Sequence, residues 1–77
     1  MDLRSIVGTN VRKLRVAKKL SQEAVAHDAE ISRGYFNQIE SGKTFYVSIK
    51  VLGRLADALE VEPAEFFKLP VKTGRGR

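Results

Sequence analysis

The chain has 77 residues and a net charge of +5, with 43% hydrophobic and 30% charged residues, so we expect one small globular domain without room for a separate catalytic domain. The absence of cysteine excludes a disulfide framework and a thiolate zinc site, and with a single histidine neither a metal nor a cofactor is expected. No apolar run approaches the roughly 20 residues that cross a bilayer, and the first residues lack the apolar segment of a signal peptide, so we predict a cytoplasmic protein without membrane contact.

Apolar residues recur at three- and four-residue spacing, and no stretch alternates in the manner of a β-strand. In chain order, the predicted helices cover residues 3–18, 22–29, 33–40, 49–59 and 63–68. A serine hydroxyl can cap three of these helices, at Ser21, Ser32 and Ser48, whereas Pro63 fits the first turn of the last one. Gly42 can end the third helix in a left-handed conformation.

The predicted domain spans residues 1–70 and is an all-α, compact five-helix bundle. Residues 71–77 contain two glycines and three basic residues, which favours a disordered solubilising tail over a minor-groove arm. Residues 4–19 carry six basic residues and no acid, whereas residues 57–65 carry four acids and no base. We therefore expect one basic and one acidic side, which suits contact between the basic side and a polyanion.

The second and third predicted helices carry a specific resemblance. The segments LSQEAVA at 20–26, ISR at 31–33 and IESG at 39–42 resemble the helix-turn-helix family of Cro and the phage repressors, and LADALEV at 55–61 resembles the fourth helix of that family. The resemblance covers about residues 7–67, and in length the chain is most similar to short controller-like transcriptional regulators of this XRE type. It implies a lambda-repressor-like DNA-binding domain whose third helix reads base edges in the major groove.

The resemblance also implies which residues contact DNA. Gln22, at the start of the second helix, is expected to hold a phosphate rather than to specify a base. Arg33 can pair with guanine, either Asn37 or Gln38 can pair with adenine, and each good pair contributes roughly 1–3 kcal/mol of discrimination. The expected DNA-binding residues are Gln22, Ser32, Arg33, Gly34, Tyr35, Asn37, Gln38, Lys43 and Thr44.

Other members of this set have less specific roles. Gly34 leaves room for close approach to the groove, and Tyr35 is expected on a phosphate or on a thymine methyl group. Lys43 and Thr44 follow the reading helix at positions where family members commonly touch the DNA backbone.

Arg15 and Glu40 align with a family pair that joins the first helix to the third, so we expect a structural salt bridge that orients the reading helix. Two features depart from the family pattern. Glu30 stands in the turn where glycine is usual, so either Glu30 adopts a left-handed conformation or the turn differs. The connection from Gly42 to Ser48 is one residue longer than usual and rich in aromatic residues, and it either meets DNA or packs at a dimer interface.

The leading hypothesis is a transcriptional repressor or activator that binds double-stranded DNA as a homodimer on a pseudo-palindromic operator. Val47, Phe67 and Leu69 are expected at the dimer interface, although Phe66, Phe67 and Leu69 fit the core nearly as well. RNA polymerase or a regulatory protein is a further candidate partner. The alternative is an antitoxin or adaptor that binds another protein through its acidic side. An enzyme is not expected, because no paired carboxylates, activated nucleophile or phosphate-binding glycine loop is present.

Overall fold

The computed structural model describes residues 1–44 and 46–69, and these residues fold as helices joined by short turns, without a β-strand. The elements are α1 (Leu3–Ala17), α2 (Gln22–Asp28), α3 (Arg33–Glu40) and α4 (Ile49–Leu59), followed by a 3-10 helix (Pro63–Phe67). The predicted all-α class and the first four predicted helices are confirmed within the described ranges. The predicted tail at 71–77 lies outside the described residues.

The prediction of a fifth α-helix over 63–68 is wrong, because this segment forms a 3-10 helix of five residues. The N–H of Glu65 donates to the carbonyl of Glu62, three residues earlier, at 2.9 Å. Pro63 starts the helix without an N–H, and Lys68 already has an extended backbone. A run this short, between a proline and an extended residue, has too few residues to build a ladder of α-type hydrogen bonds.

Side-chain caps determine where the four α-helices begin. The hydroxyls of Ser21, Ser32 and Ser48 each accept a hydrogen bond, at 3.0 Å, from the backbone N–H three residues later. Asp2 caps α1 by accepting a 3.0 Å bond from the N–H of Arg4. The side-chain hydrogen bond from Arg4 also holds the pKa of Asp2 below its ordinary value. Each cap satisfies an N–H that has no partner within its own helix.

The turn between α2 and α3 has a regular helix C-cap although glutamate stands at its left-handed position. Glu30 has a φ of +61°, and the N–H of Ile31 donates to the carbonyl of Ala26 at 3.0 Å, as in a Schellman motif. The carboxylate of Glu30 lies 3.5 Å from the guanidinium of Arg54 on α4. The structure thus selects the first of the two alternatives for this turn, at the energetic cost of a left-handed residue that has a Cβ.

The core is formed where α1 packs on α3 and on the 3-10 helix, and where α2 packs on α3 and α4. Its largest fully buried side chains are Val11, Val25, Phe36, Leu55, Leu59 and Phe66. Phe66 therefore belongs to the core, whereas Phe67 and Leu69 are exposed. Asn10 holds this last segment to α1, because its amide nitrogen donates to the carbonyls of Phe66 at 2.9 Å and Lys68 at 2.8 Å.

Helices α1 and α3 approach each other closely at Gly8. A Cβ at this position would stand 2.6 Å from the carbonyl oxygens of Ile39 and Glu40, at the carboxyl end of α3. Real Cβ atoms do not tolerate such a distance to backbone oxygen, so this contact requires glycine. Gly8 therefore sets the spacing between α1 and the helix that is predicted to read DNA.

Candidate nucleic-acid interface

Helix α3 divides into a buried and an exposed side. Phe36 and Ile39 are buried in the core, whereas the side chains of Arg33, Asn37 and Gln38 are exposed. No hydrogen bond joins these three side chains to any other residue that the structure describes. Their donors and acceptors are therefore free to meet a ligand along one side of the helix.

The amino end of α2 lies beside this exposed side of α3. Gln22, Arg33, Gly34 and Asn37 line one open groove of 280 Å³. A Cβ built on Gly34 meets no atom of the described residues within 4 Å, so nothing in this part of the chain requires glycine there. Four of the predicted DNA-binding residues are thus brought together at a surface that a partner can approach.

A buried carboxylate ties three helices together behind this groove. The Glu40 side chain, on α3, is 3% exposed and accepts from Arg15 of α1 through Nε at 2.5 Å and Nη2 at 3.2 Å. Arg15 also donates to the carbonyl of Leu20 at 2.9 Å. Because a buried charge is costly without a partner, this ion pair fixes the carboxyl end of α3 against α1.

Sequence reasoning missed a third donor in this cluster. The amide nitrogen of Gln22 donates to Oε1 of Glu40 at 2.8 Å. The two residues are 18 positions apart on different helices, so local spacing holds no signal for this bond. One of the two amide hydrogens of Gln22 is thus directed into the protein. In the first turn of α2 the N–H of Ala24 is used by the Ser21 cap, so the backbone N–H groups of Gln22 and Glu23 are the ones that remain available to an anion.

The connection between α3 and α4 contains the remaining predicted contacts. Lys43 is exposed, and its backbone N–H donates to the carbonyl of Gln38 at 2.9 Å, in a Schellman motif with Gly42 at φ +71°. The hydroxyl of Thr44 accepts from the N–H of Tyr46 at 3.1 Å. Lys43 is therefore well placed for a backbone phosphate, whereas Thr44 already has an internal partner.

Tyr35 and Ser32 also have internal partners. The hydroxyl of Tyr35 lies 2.6 Å from the carbonyl oxygen of Tyr46, to which it donates. The hydroxyl oxygen of Ser32 accepts from the N–H of Tyr35 as the cap of α3. The Ser32 cap was predicted from the sequence, and it leaves the hydroxyl proton of Ser32 free to be donated. The bond of Tyr35 was not predicted, because it depends on where the chain folds back.

A second surface brings together two of the three predicted dimer residues. An apolar groove of 220 Å³ brings together Leu3, Arg4, Val7, Ile39, Thr44, Val47, Leu52 and Phe67. Val47 and Phe67 thus share one groove, whereas Leu69 is exposed but does not line it. Beside the groove, Tyr46 and Ile49 are 83% and 87% exposed, although both are large and apolar. Ile49 was missed from the sequence because its place in the first turn of α4 resembles the start of a core stripe.

Three acidic side chains are grouped at the end of α4. Asp57, Glu60 and Glu62 line a shallow depression with Val61 and Pro63, where α4 passes into the 3-10 helix. In the described part of the chain, no group of three or more histidine, cysteine or acidic side chains is arranged to hold a metal ion. Over the same residues, no helix has the length and apolar character needed to cross a membrane.

Known proteins resemble this chain in sequence and in fold. Residues 6–67 match a family model described as a helix-turn-helix domain. Control protein C.BamHI of Bacillus amyloliquefaciens is 34% identical over 65 residues, which cover 83% of this chain and 79% of that protein. The uncharacterized HTH-type transcriptional regulator y4dJ of Sinorhizobium fredii is 37% identical over 65 residues, covering 84% of this chain and 83% of that protein. The crystal structure of the restriction-modification controller protein C.AhdI from Aeromonas hydrophila matches with a TM-score of 0.79 at 39% identity, covering 83% of this chain and 96% of that one.

Proposed function

The chain belongs to the helix-turn-helix domain family of DNA-binding transcriptional regulators, and from that premise we propose that it binds a pseudo-palindromic operator as a homodimer. Its relatives are regulators rather than enzymes. The observation that carries the proposal is the exposed side of α3. There the side chains of Arg33, Asn37 and Gln38 make no hydrogen bond to other described residues, and Arg33 and Asn37 line a groove together with Gln22 of α2.

The proposed readout divides into base contacts and phosphate contacts. Arg33 lies in the first turn of α3, the end of a reading helix that reaches base edges, and its guanidinium can bind O6 and N7 of guanine together. Asn37 follows one turn later on the same side and suits adenine. Lys43 and the first N–H groups of α2, around Gln22, take the flanking phosphates.

The proposed dimer forms through the apolar groove around Val47 and Phe67. A two-fold contact uses the same surface on both subunits, so that surface must hold both a recess and a projecting side chain. Both features are present, because the exposed Ile49 stands one helical turn before Leu52, which lines the recess. Burial of these side chains in a second copy would remove an exposed apolar surface that is unusual on a small monomer.

A duplex selection tests the operator and the readout together. Selection from random duplexes, followed by footprinting, is expected to yield two related half-sites about one helical turn apart. Arg33→Ala is then expected to relax base preference at one position of each half-site, at about 1–3 kcal/mol of discrimination. Lys43→Ala is expected to weaken all duplexes alike and to lower the salt slope by about one. Failure to enrich any sequence at physiological salt would refute specific DNA recognition, and identical behaviour of the two variants would refute the division of roles.

Sedimentation equilibrium tests the dimer separately from DNA. Ile49→Glu puts a charge on the proposed contact and is expected to shift the protein toward monomer. Val16→Glu is the matched control, because Val16 is also an exposed apolar residue, at 55%, but does not line the groove. Equal dissociation by both variants, or by neither, would contradict this interface.

The acidic depression at Asp57, Glu60 and Glu62 favours a second candidate function, that of an antitoxin or adaptor which binds a basic protein surface. In that case a stoichiometric basic partner copurifies with the chain, and Asp57→Asn releases the partner without affecting DNA binding. RNA polymerase or another regulatory protein is the corresponding partner if the chain acts on transcription through this surface. DNA affinity too weak to survive physiological salt, together with a tightly bound basic protein, would favour this second function over the first.

A further inference from the structure

We propose that the hydroxyl of Tyr35 is a positioning group that sets the dimer surface relative to the DNA-reading helix. The inference rests on the homodimer proposed above and goes beyond it, because it identifies one hydrogen bond on which the dimer contact depends. It also replaces the expected contact between the Tyr35 hydroxyl and DNA with an internal role.

The position of Tyr35 is fixed by α3 itself. Its N–H donates to the capping hydroxyl of Ser32 at 3.0 Å, and its ring is partly buried against the core cluster. Its hydroxyl donates to the carbonyl oxygen of Tyr46 at 2.6 Å. The bond therefore links a rigid point on the reading helix to the chain 11 residues later.

Tyr46 lies between two well-anchored ends of the connection. Lys43 is bonded to the end of α3 through its N–H, and Ser48 caps α4. Among the described residues between them, the hydrogen bonds that hold the backbone are those made by the N–H and the carbonyl of Tyr46. Both polar groups of Tyr46 are therefore engaged, one by Thr44 and the other by Tyr35.

The carbonyl that Tyr35 holds belongs to the same planar peptide unit as the nitrogen of Val47. Because that unit is rigid, fixing the oxygen also fixes the direction in which the chain reaches the Cα of Val47. Val47 lines the apolar groove, whereas Tyr46 does not. The orientation of Val47 on the proposed dimer surface thus follows from one bond to the reading helix.

The same bond argues against a direct phosphate contact by this hydroxyl. A tyrosine hydroxyl has a single proton to donate, and a phosphate oxygen only accepts. While the proton is donated to Tyr46, the hydroxyl has none left for the DNA backbone.

Tyr35→Phe tests the inference, because it deletes the hydroxyl and keeps the ring. Tyr46→Phe is the matched control, since it removes a neighbouring hydroxyl but leaves the carbonyl that Tyr35 holds. Each protein is titrated, at the same low salt, with a duplex carrying two half-sites and with a duplex carrying one, and its dimer dissociation constant is measured by sedimentation equilibrium.

For Tyr35→Phe, the dimer dissociation constant is expected to rise on the order of fivefold, because the connection that Tyr35 no longer holds must be ordered in each subunit when the dimer forms. Affinity for the two-site duplex is expected to fall by a similar factor, whereas affinity for the single half-site stays within about twofold of wild type. Tyr46→Phe is expected to behave as wild type in all three measurements. A general loss of structure in Tyr35→Phe would lower half-site affinity as well.

Reduced half-site affinity of Tyr35→Phe would overturn the inference, because it would place the hydroxyl on DNA or in the stability of the fold. If Tyr35→Phe fully retained the preference of the wild-type protein for two half-sites, the inference would also be overturned, but the proposed homodimer would stand. A wild-type chain that stayed monomeric and bound both duplexes equally would overturn the homodimer and this inference with it.

Discussion

Gly34→Ala separates what the fold needs from what DNA needs at one position of the reading helix. A methyl group at Gly34 meets no atom of the described residues within 4 Å, so the substitution adds helix propensity without a clash. In a helix interior this gain is about 0.8–1.0 kcal/mol, and we expect roughly 0.5 kcal/mol in the first turn of α3. For a domain of this size, such a gain raises Tm by about 2–4 °C.

On DNA the same methyl group is expected to be harmful. If the reading helix approaches the groove as closely as proposed, the added Cβ must displace base or backbone atoms, at a cost of about 1–3 kcal/mol. Affinity for the selected duplex should then fall by a factor of roughly 5 to 150. Gly53→Ala, in the middle of α4, is the control for propensity, because a Cβ there also meets open space.

Thermal unfolding and duplex titration of the two variants separate the effect on stability from the effect on DNA affinity. We expect both variants to be more stable than wild type, and only Gly34→Ala to lose DNA affinity. A more stable Gly34→Ala protein with wild-type affinity would show that Gly34 does not lie against DNA. A less stable one would refute the propensity argument itself.

Three further substitutions test the backbone and the caps. Gly8→Ala should destabilise the fold by about 1–2 kcal/mol in denaturant unfolding, because its methyl group overlaps carbonyls of α3. A variant as stable as wild type would refute the close approach of α1 and α3. Glu30→Gly should change the free energy of unfolding by less than about 0.5 kcal/mol, because relief of the left-handed strain is offset by the entropy of glycine and by loss of the ion pair with Arg54. In an Arg54→Ala background the ion pair is already absent, so the same substitution should stabilise the fold. The side-chain bond from Arg4 lowers the pKa of Asp2, so the stabilisation by this ionised cap is present above the ordinary aspartate range and is lost as pH falls through the lowered pKa. Asp2→Asn should therefore lose less stability than wild type between about pH 6 and pH 2.

Features that depend on neighbouring residues were predictable from the sequence. The serine caps and the apolar spacing place the starts of α2, α3 and α4 correctly, because capping and amphipathicity operate within one or two turns. The left-handed turn at Glu30 was one of two local alternatives and needed the backbone to decide between them. The 3-10 helix was predicted as an α-helix because composition does not distinguish the two types over five residues.

Features that depend on tertiary contacts were not predictable in this way. The contact of Gly8 with the end of α3 and the bond between Gln22 and Glu40 join residues on different helices, and each side of either contact has an ordinary local pattern. The hydroxyl of Tyr35 was assigned to DNA because the family pattern identifies the position, whereas its internal acceptor is a backbone carbonyl that no side-chain motif marks. Resemblance therefore predicts which residues read DNA, and packing decides which of their groups remain available.

The division of α3 has a consequence for how such a regulator can acquire new targets. Glu40 and Phe36 hold the helix from its inner side, while the side chains at 33, 37 and 38 make no hydrogen bond to the rest of the described chain. Under the proposed readout, exchange of these outer side chains would change the preferred operator at little cost in folding free energy, since surface substitutions usually alter stability by less than about 0.5 kcal/mol. Duplicated copies of the gene can thus diverge in target while keeping one scaffold, and the same property makes the outer side of α3 a suitable place to transplant a chosen specificity.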